Sequence, residues 1–94
     1  MIDPAKQVRF DRNMYTVELD GRIIYPSHTE FVILDALASR PGVVKTRNEL
    51  LKLTSGGHAD TELRAIDSHI KRLRAKGFDQ IKTRREFGYY WAAT

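Results

Sequence analysis

The sequence contains no cysteine, which excludes disulfide staples and thiolate metal sites. Its 94 residues must therefore rely on one hydrophobic core and on local signals, since a chain of this length buries only roughly 60–65% of its surface on folding. No stretch approaches the ~20 apolar residues of a membrane span, and MIDPAKQVRF lacks the apolar centre of a signal peptide. A cytoplasmic location away from any membrane is the expectation. Histidine is scarce. His28, His58 and His69 stand in a helix start, a glycine loop and a basic helix, without metal-ligand spacing. Gly56-Gly57 lacks the following Lys-Ser/Thr of a phosphate-binding loop, and His58 beside Asp60 reads as a solvated pair. No enzyme, metal site or cofactor is expected.

The composition that remains, 41% hydrophobic and 30% charged, is that of a globular domain rather than a disordered tail. The charge is unevenly placed. Residues 1–63 hold eight Lys/Arg against nine Asp/Glu, a net of −1, whereas residues 64–86 hold eight against three, a net of +5. A basic block of this kind suits either a solvated helix or an anionic partner, and geometry must choose between them.

Local patterns divide the chain into elements of an α+β fold. Val8-Arg9-Phe10 alternates, as do Tyr15, Val17 and Leu19 with Thr16, Glu18 and Asp20. Asp20-Gly21 separates that run from Arg22-Ile23-Ile24-Tyr25, a hairpin signal because both turn positions favour positive φ. An antiparallel sheet over about 6–25 follows, with a further short strand near Lys6. Ser27 and Glu30 form a capping box for a helix over about 27–39, with Phe31, Leu34, Leu37 and Ala38 on its apolar face. Thr46 and Glu49 cap a second, short helix over about 47–53. After the loop 54–59, Asp60 or Thr61 caps a third helix over about 62–76, closed by Gly77 and Phe78. Ile81-Lys82-Thr83, a basic tip and Tyr89-Tyr90-Trp91 predict a closing hairpin over about 81–91. No linker or repeat interrupts the series, so residues 1–94 read as one domain.

In the third helix, Leu63, Ile66, Ile70 and Leu73 fall in one sector of roughly 80° and predict a core face. Arg64, Ser68, Lys71, Arg72 and Ala75 fall in a sector of roughly 100° nearly opposite. Beyond Leu63 this helix carries five Lys/Arg and one Asp, where a merely wet helix would mix signs. A helix with long donors and small residues on one face fits the major groove of duplex DNA. His69, Arg74 and Lys76 flank that face and are better placed for phosphates than for base edges.

Several separated stretches resemble the DNA-binding effector domain of OmpR/PhoB-type response regulators. They are Pro26-Ser27-His28-Thr29-Glu30-Phe31, then Pro41-Gly42 with Thr46-Arg47-Asn48-Glu49-Leu50, then Arg64-Ala65-Ile66-Asp67-Ser68-His69-Ile70-Lys71-Arg72-Leu73-Arg74-Ala75-Lys76. The resemblance runs from about Val8 to Trp91. It implies a winged helix-turn-helix: a small N-terminal antiparallel sheet, three helices and a C-terminal β-hairpin wing. The third helix would enter the major groove of double-stranded DNA and the wing would reach the adjacent minor groove. On this basis Arg64, Ser68, Lys71 and Arg72 face the groove and His69 and Arg74 lie near the backbone. In the wing, Thr83 and Tyr89 meet phosphates, Arg85 enters the minor groove and Arg84 stands beside it. The resemblance also implies pairing of copies on direct repeats and an RNA polymerase contact through the loop 54–61.

Three features depart from the family pattern. Glu86 replaces a turn glycine in the wing and sets a negative charge where phosphates should lie. The loop 54–61 lacks the aromatic residues common in relatives. No phospho-acceptor receiver domain accompanies the domain, which leaves an excised half and a stand-alone regulator both open. A rival reading uses the same fold for protein or RNA contact, with Phe87, Tyr90 and Trp91 as apolar anchors. Closure of the hairpin onto the core is the plainer role for Trp91 and Tyr89, whereas Phe87 at the tip has no such explanation.

Overall fold

The computed structural model describes residues 7–55 and 63–92. Three antiparallel strands open the chain: β1 (Val8–Asp11), β2 (Thr16–Leu19) and β3 (Arg22–Ile24), in that spatial order. The Asp20-Gly21 turn has the expected left-handed geometry, with φ of 50° and 83°, and it pairs Leu19 with Arg22. Tyr15 differs from expectation. It belongs to the turn between β1 and β2, at φ 55°, and not to a strand. Asp11 draws this turn shut by accepting from the backbone N–H groups of Asn13 and Met14, and Tyr15 then meets the ring of Phe31 edge-on at 5.3 Å. The expected strand near Lys6 and the cap at Asp60 or Thr61 lie outside the described residues.

Helix α1 (His28–Ala38) begins at the predicted capping box, in which Ser27 Oγ accepts from the Glu30 N–H and Glu30 Oε1 accepts from the Ser27 N–H. Its buried surface is wider than the one predicted face. Phe31, Ile33, Leu34 and Leu37 are all enclosed, because α1 touches α2, α3 and the last strand. Helix α2 (Arg47–Ser55) opens on the second capping box, between Thr46 and Glu49, and buries Leu50 while Leu53 stays exposed. Helix α3 (Leu63–Ala75) sets Ile66, Ile70 and Leu73 in the core. Leu63, expected there too, is 40% exposed, since it occupies the first turn of α3, beyond the end of that packed face. The helix closes as predicted. The Phe78 N–H donates to Leu73 C=O and the Gly77 N–H to Arg74 C=O, with Phe78 and Leu73 both buried in the core.

Strands β4 (Ile81–Arg84) and β5 (Gly88–Trp91) form the C-terminal hairpin. Strand β5 is held on its other side as well, where Lys45 and Tyr89 exchange two backbone hydrogen bonds and the Gly42 N–H donates to Trp91 C=O. Ile81, Tyr89 and Trp91 thus join Val17, Leu19 and the helix residues in one core. Each fully buried Leu or Ile there contributes about 1.5–3 kcal/mol. The arrangement is the winged helix-turn-helix expected.

Candidate nucleic-acid interface

Helix α3 and the hairpin present one exposed surface. Arg64, Ser68, Lys71 and Arg72 project from α3, and Lys82, Thr83, Arg84 and Arg85 line the outer hairpin. The sole carboxylate of α3, Asp67, lies at the flank of this surface, 40% exposed and engaged by two donors. Its Oδ1 accepts from Arg47 Nε at 2.8 Å and from the Tyr89 hydroxyl, which ties α3 to α2 and to β5. Burial opposes the charge on Asp67, but the bonds from Tyr89 and Arg47 prevail and keep its pKa below the ordinary carboxylate value. Burial, together with the same bond to Asp67, raises the Tyr89 phenol.

A second carboxylate is treated likewise. Glu30 is 4% exposed, beneath the C-terminal half of α3. Its Oε1 lies 2.7 Å from Lys76 Nζ and its Oε2 lies 3.8 Å from Arg72 Nε. Desolvation would raise its pKa, yet the Lys76 bond, the Ser27 N–H and the two cations lower it instead. A stable anion here anchors two cations at the base of α3.

The structure brings His69 to Arg72, and Arg74 to Thr83 and Tyr89, and gives the other sequence-predicted residues different settings. Arg64, Ser68, Lys71, Arg72, Arg84 and Arg85 stand exposed. His69 is half-buried and its Nδ1 lies 2.8 Å from Arg72 Nη2. Arg74 turns toward the hairpin, donating to Ile81 C=O at 3.0 Å and to Thr83 Oγ1 at 2.7 Å, with its guanidinium 5.6 Å from the centre of the Tyr89 ring. Tyr89 itself is 6% exposed, its hydroxyl committed to Asp67. Of the proposed polymerase-contacting loop only its first two residues are described.

The tertiary contacts of four residues escaped the reading of the sequence: Glu30 with Lys76, Lys45 with Tyr89, and Arg47 with Asp67. A signal existed for Asp67. It lies seven residues before Arg74, so both border the apolar stripe of α3 on the same side, where a polar group most often meets a neighbouring element.

At the wing tip the Phe87 N–H donates to Arg84 C=O at 2.9 Å, closing a turn in which Glu86 takes φ 71°. Among the described residues no ion pair joins Glu86 to Arg84 or Arg85. Arg84 stacks over the ring of Phe87 at 5.2 Å, and Phe87 is 59% exposed.

Residues 21–91 match the family of the transcriptional regulatory protein C-terminal domain. The chain belongs to that family, the OmpR/PhoB type. Among its relatives are the response regulator protein PmrA of Pseudomonas aeruginosa, 33% identical over 84 residues, and the TorCAD operon regulator TorR of Escherichia coli, 35% identical over 81. Those matches cover 88% and 84% of the chain but only 38% and 35% of the relatives, so the chain spans little more than a third of their length. Among solved structures it is similar to the RstA DNA-binding domain of Klebsiella pneumoniae, determined in complex with the RstA box. There the TM-score is 0.79 at 34% identity, with 90% of each chain covered. The DNA-binding domain of CpxR from Escherichia coli superimposes at TM-score 0.78 and 28% identity, over 92% of this chain and 90% of that one. Among its described residues this OmpR/PhoB-type domain contains no helix long and apolar enough to cross a membrane.

Proposed function

We propose that this OmpR/PhoB-type domain binds double-stranded DNA at specific sequences, with α3 in the major groove and the β4–β5 wing at the adjacent minor groove. The observation that carries this reading is the outward face of α3, from which Arg64, Ser68, Lys71 and Arg72 project while its one acid is bonded to Arg47 and Tyr89. A cationic face free of acids attracts the phosphate backbone, and the Arg fork can address guanine edges. Arg72 is the principal base reader in this scheme, with Arg64, Ser68 and Lys71 beside it. His69 approaches the backbone, Arg84 and Arg85 supply the wing contacts, and Arg74, Thr83 and Tyr89 hold the wing at its angle beside the phosphates.

As part of a transcriptional regulator, the domain acts in the cytoplasm by binding alone, without catalysis. Copies pair on direct repeats, and the segment 54–61 meets RNA polymerase; the family resemblance supports both. Selection of bound duplexes from a random pool, with footprinting, identifies the site and its repeats. On the selected duplex, four to six neutralised phosphates give a slope of log affinity against log salt near about −4 to −5. Arg72→Ala loses roughly 1–3 kcal/mol and relaxes preference at one base position. A flat salt response overturns the reading. So does preference for single-stranded RNA in competition, the outcome that would give the exposed Phe87 a stacking role.

A further inference from the structure

The guanidinium of Arg72 has five donors and no acceptor, so an atom bonded to it must supply a lone pair. That atom is Nδ1 of His69, one helical turn earlier and 2.8 Å from Nη2. Nδ1 therefore bears no hydrogen, and the ring is the neutral tautomer protonated at Nε2. In the imidazolium form Nδ1–H would face the guanidinium, the bond would be lost, and two like charges would meet at contact distance. Along the same edge of that guanidinium lies Glu30 of α1, with Oε2 3.8 Å from Nε. Two side chains thus hold one edge of Arg72, while its side chain keeps 55% of its exposure for a ligand.

We propose that His69 is a positioning residue for Arg72: the neutral ring fixes the pose of the guanidinium on the outward face of α3, and protonation of the ring releases it. Discrimination at the base that Arg72 meets then falls on acidification, while general attraction to the polyanion does not. The inference rests on the reading of Arg72 as a base reader. Burial, and then the charge of Arg72, keep the His69 pKa below its ordinary 6.5 against the opposing pull of Glu30, so the neutral form prevails at neutral pH and is lost as pH falls through that lowered value. In the free domain the charged groups facing the ring are Arg72 from its own helix and Glu30 from α1, and in the complex a backbone phosphate joins them and opposes loss of the proton. Despite burial, Glu30, paired with Lys76, has its pKa lowered by that bond, by the Ser27 N–H and by the two cations, so it resists protonation and the ring is the member of this cluster that acidification charges first.

The test measures the ratio of affinities for the selected duplex and its single-base variants, using the whole 94-residue chain at about pH 8 and about pH 5. A ratio cancels the general gain in attraction that any added positive charge brings. At the position relaxed by Arg72→Ala, the unsubstituted chain should lose roughly 5–10-fold in discrimination at the acid pH. His69→Ala should show the same loss at both pH values. His69→Asn, whose amide oxygen can accept from Arg72 and cannot titrate, should keep discrimination at both. A pH-independent ratio in the unsubstituted chain, or an Asn variant that behaves like Ala, overturns the role of His69 while leaving Arg72 as a reader. If Arg72→Ala weakens all duplexes alike, the base-reading footing fails and the inference falls with it.

Discussion

Between Leu19 and Arg22 the chain reverses in two residues, Asp20 and Gly21, both left-handed and one of them glycine. Between Arg84 and Gly88 it uses three residues without a glycine, and the left-handed place falls to Glu86. The first hairpin places Val17 and Leu19 in the core. The second commits Ile81, Tyr89 and Trp91 at its base and leaves everything from Lys82 to Phe87 exposed. The difference separates two demands on similar backbones. The β2–β3 turn uses residues that suit a left-handed backbone, whereas the wing turn, like the β1–β2 turn at Tyr15, sets a less suited residue there, and the wing is braced from outside.

That brace offers the strongest way to break the comparison. A Cβ added at Gly88 would sit 2.0 Å from the Lys45 carbonyl oxygen, so no shift of a flexible side chain can relieve it. Gly88→Ala should cost roughly 3 kcal/mol or more, read as a fall in the urea unfolding midpoint, because it pries β5 from the segment around Lys45. A stability within experimental error of the unsubstituted chain would show that the wing is not held there.

Cutting the tie from α3 should act next, and on function more than on folding. Arg74→Ala removes two hydrogen bonds and a stacked cation from the base of the wing. It should weaken binding to every duplex of the single-base panel by about 1–2 kcal/mol without altering base preference, and anisotropy on that panel measures this. A selective loss at one position would make Arg74 a reader.

In the first hairpin, Gly21→Ala meets no atom within 4 Å, and only its φ of 83° resists a side chain. Thermal unfolding should report a loss of about 1 kcal/mol, well short of Gly88→Ala, and DNA affinity should stay unchanged. Glu86→Gly has the smallest effect and the opposite sign. It relieves a left-handed non-glycine residue and removes an unpaired acid, so stability should rise by about 0.5–1 kcal/mol and binding should tighten on the order of 1 kcal/mol, with a steeper salt slope. Weaker binding would mean that Glu86 shapes the tip, and no change in Glu86→Gly or Arg85→Ala would take the wing off the DNA.

What could be read from the sequence was local in origin. The capping boxes at Ser27 and Thr46, the Asp20-Gly21 turn and the Gly77-Phe78 helix stop each involve residues within a few positions, where side-chain chemistry alone selects the backbone. The outward face of α3 was legible for the same reason, since one helical period orders its residues. The partners of those residues were not. Arg74 reaching Thr83, Asp67 reaching Arg47 and Glu30 gripping Lys76 depend on how elements meet across 9, 20 and 46 positions of sequence. The burial of Ile33 and the exposure of Leu63 were hidden similarly: the first lies on a helix enclosed from several sides, the second beyond the end of a packed face.

The grip of Arg74 on both Ile81 and Thr83 also makes α3 and the wing a single rigid gauge. Two probes fixed at one separation can register a target only if its two parts are equally fixed. One base pair inserted between the stretch under α3 and the stretch under the wing would displace the second by about 3.4 Å and turn it by roughly 35° around the duplex. The preferred sites should therefore vary in letters but not in length within each half-site, and Arg74→Ala should be the change that lets spacing drift.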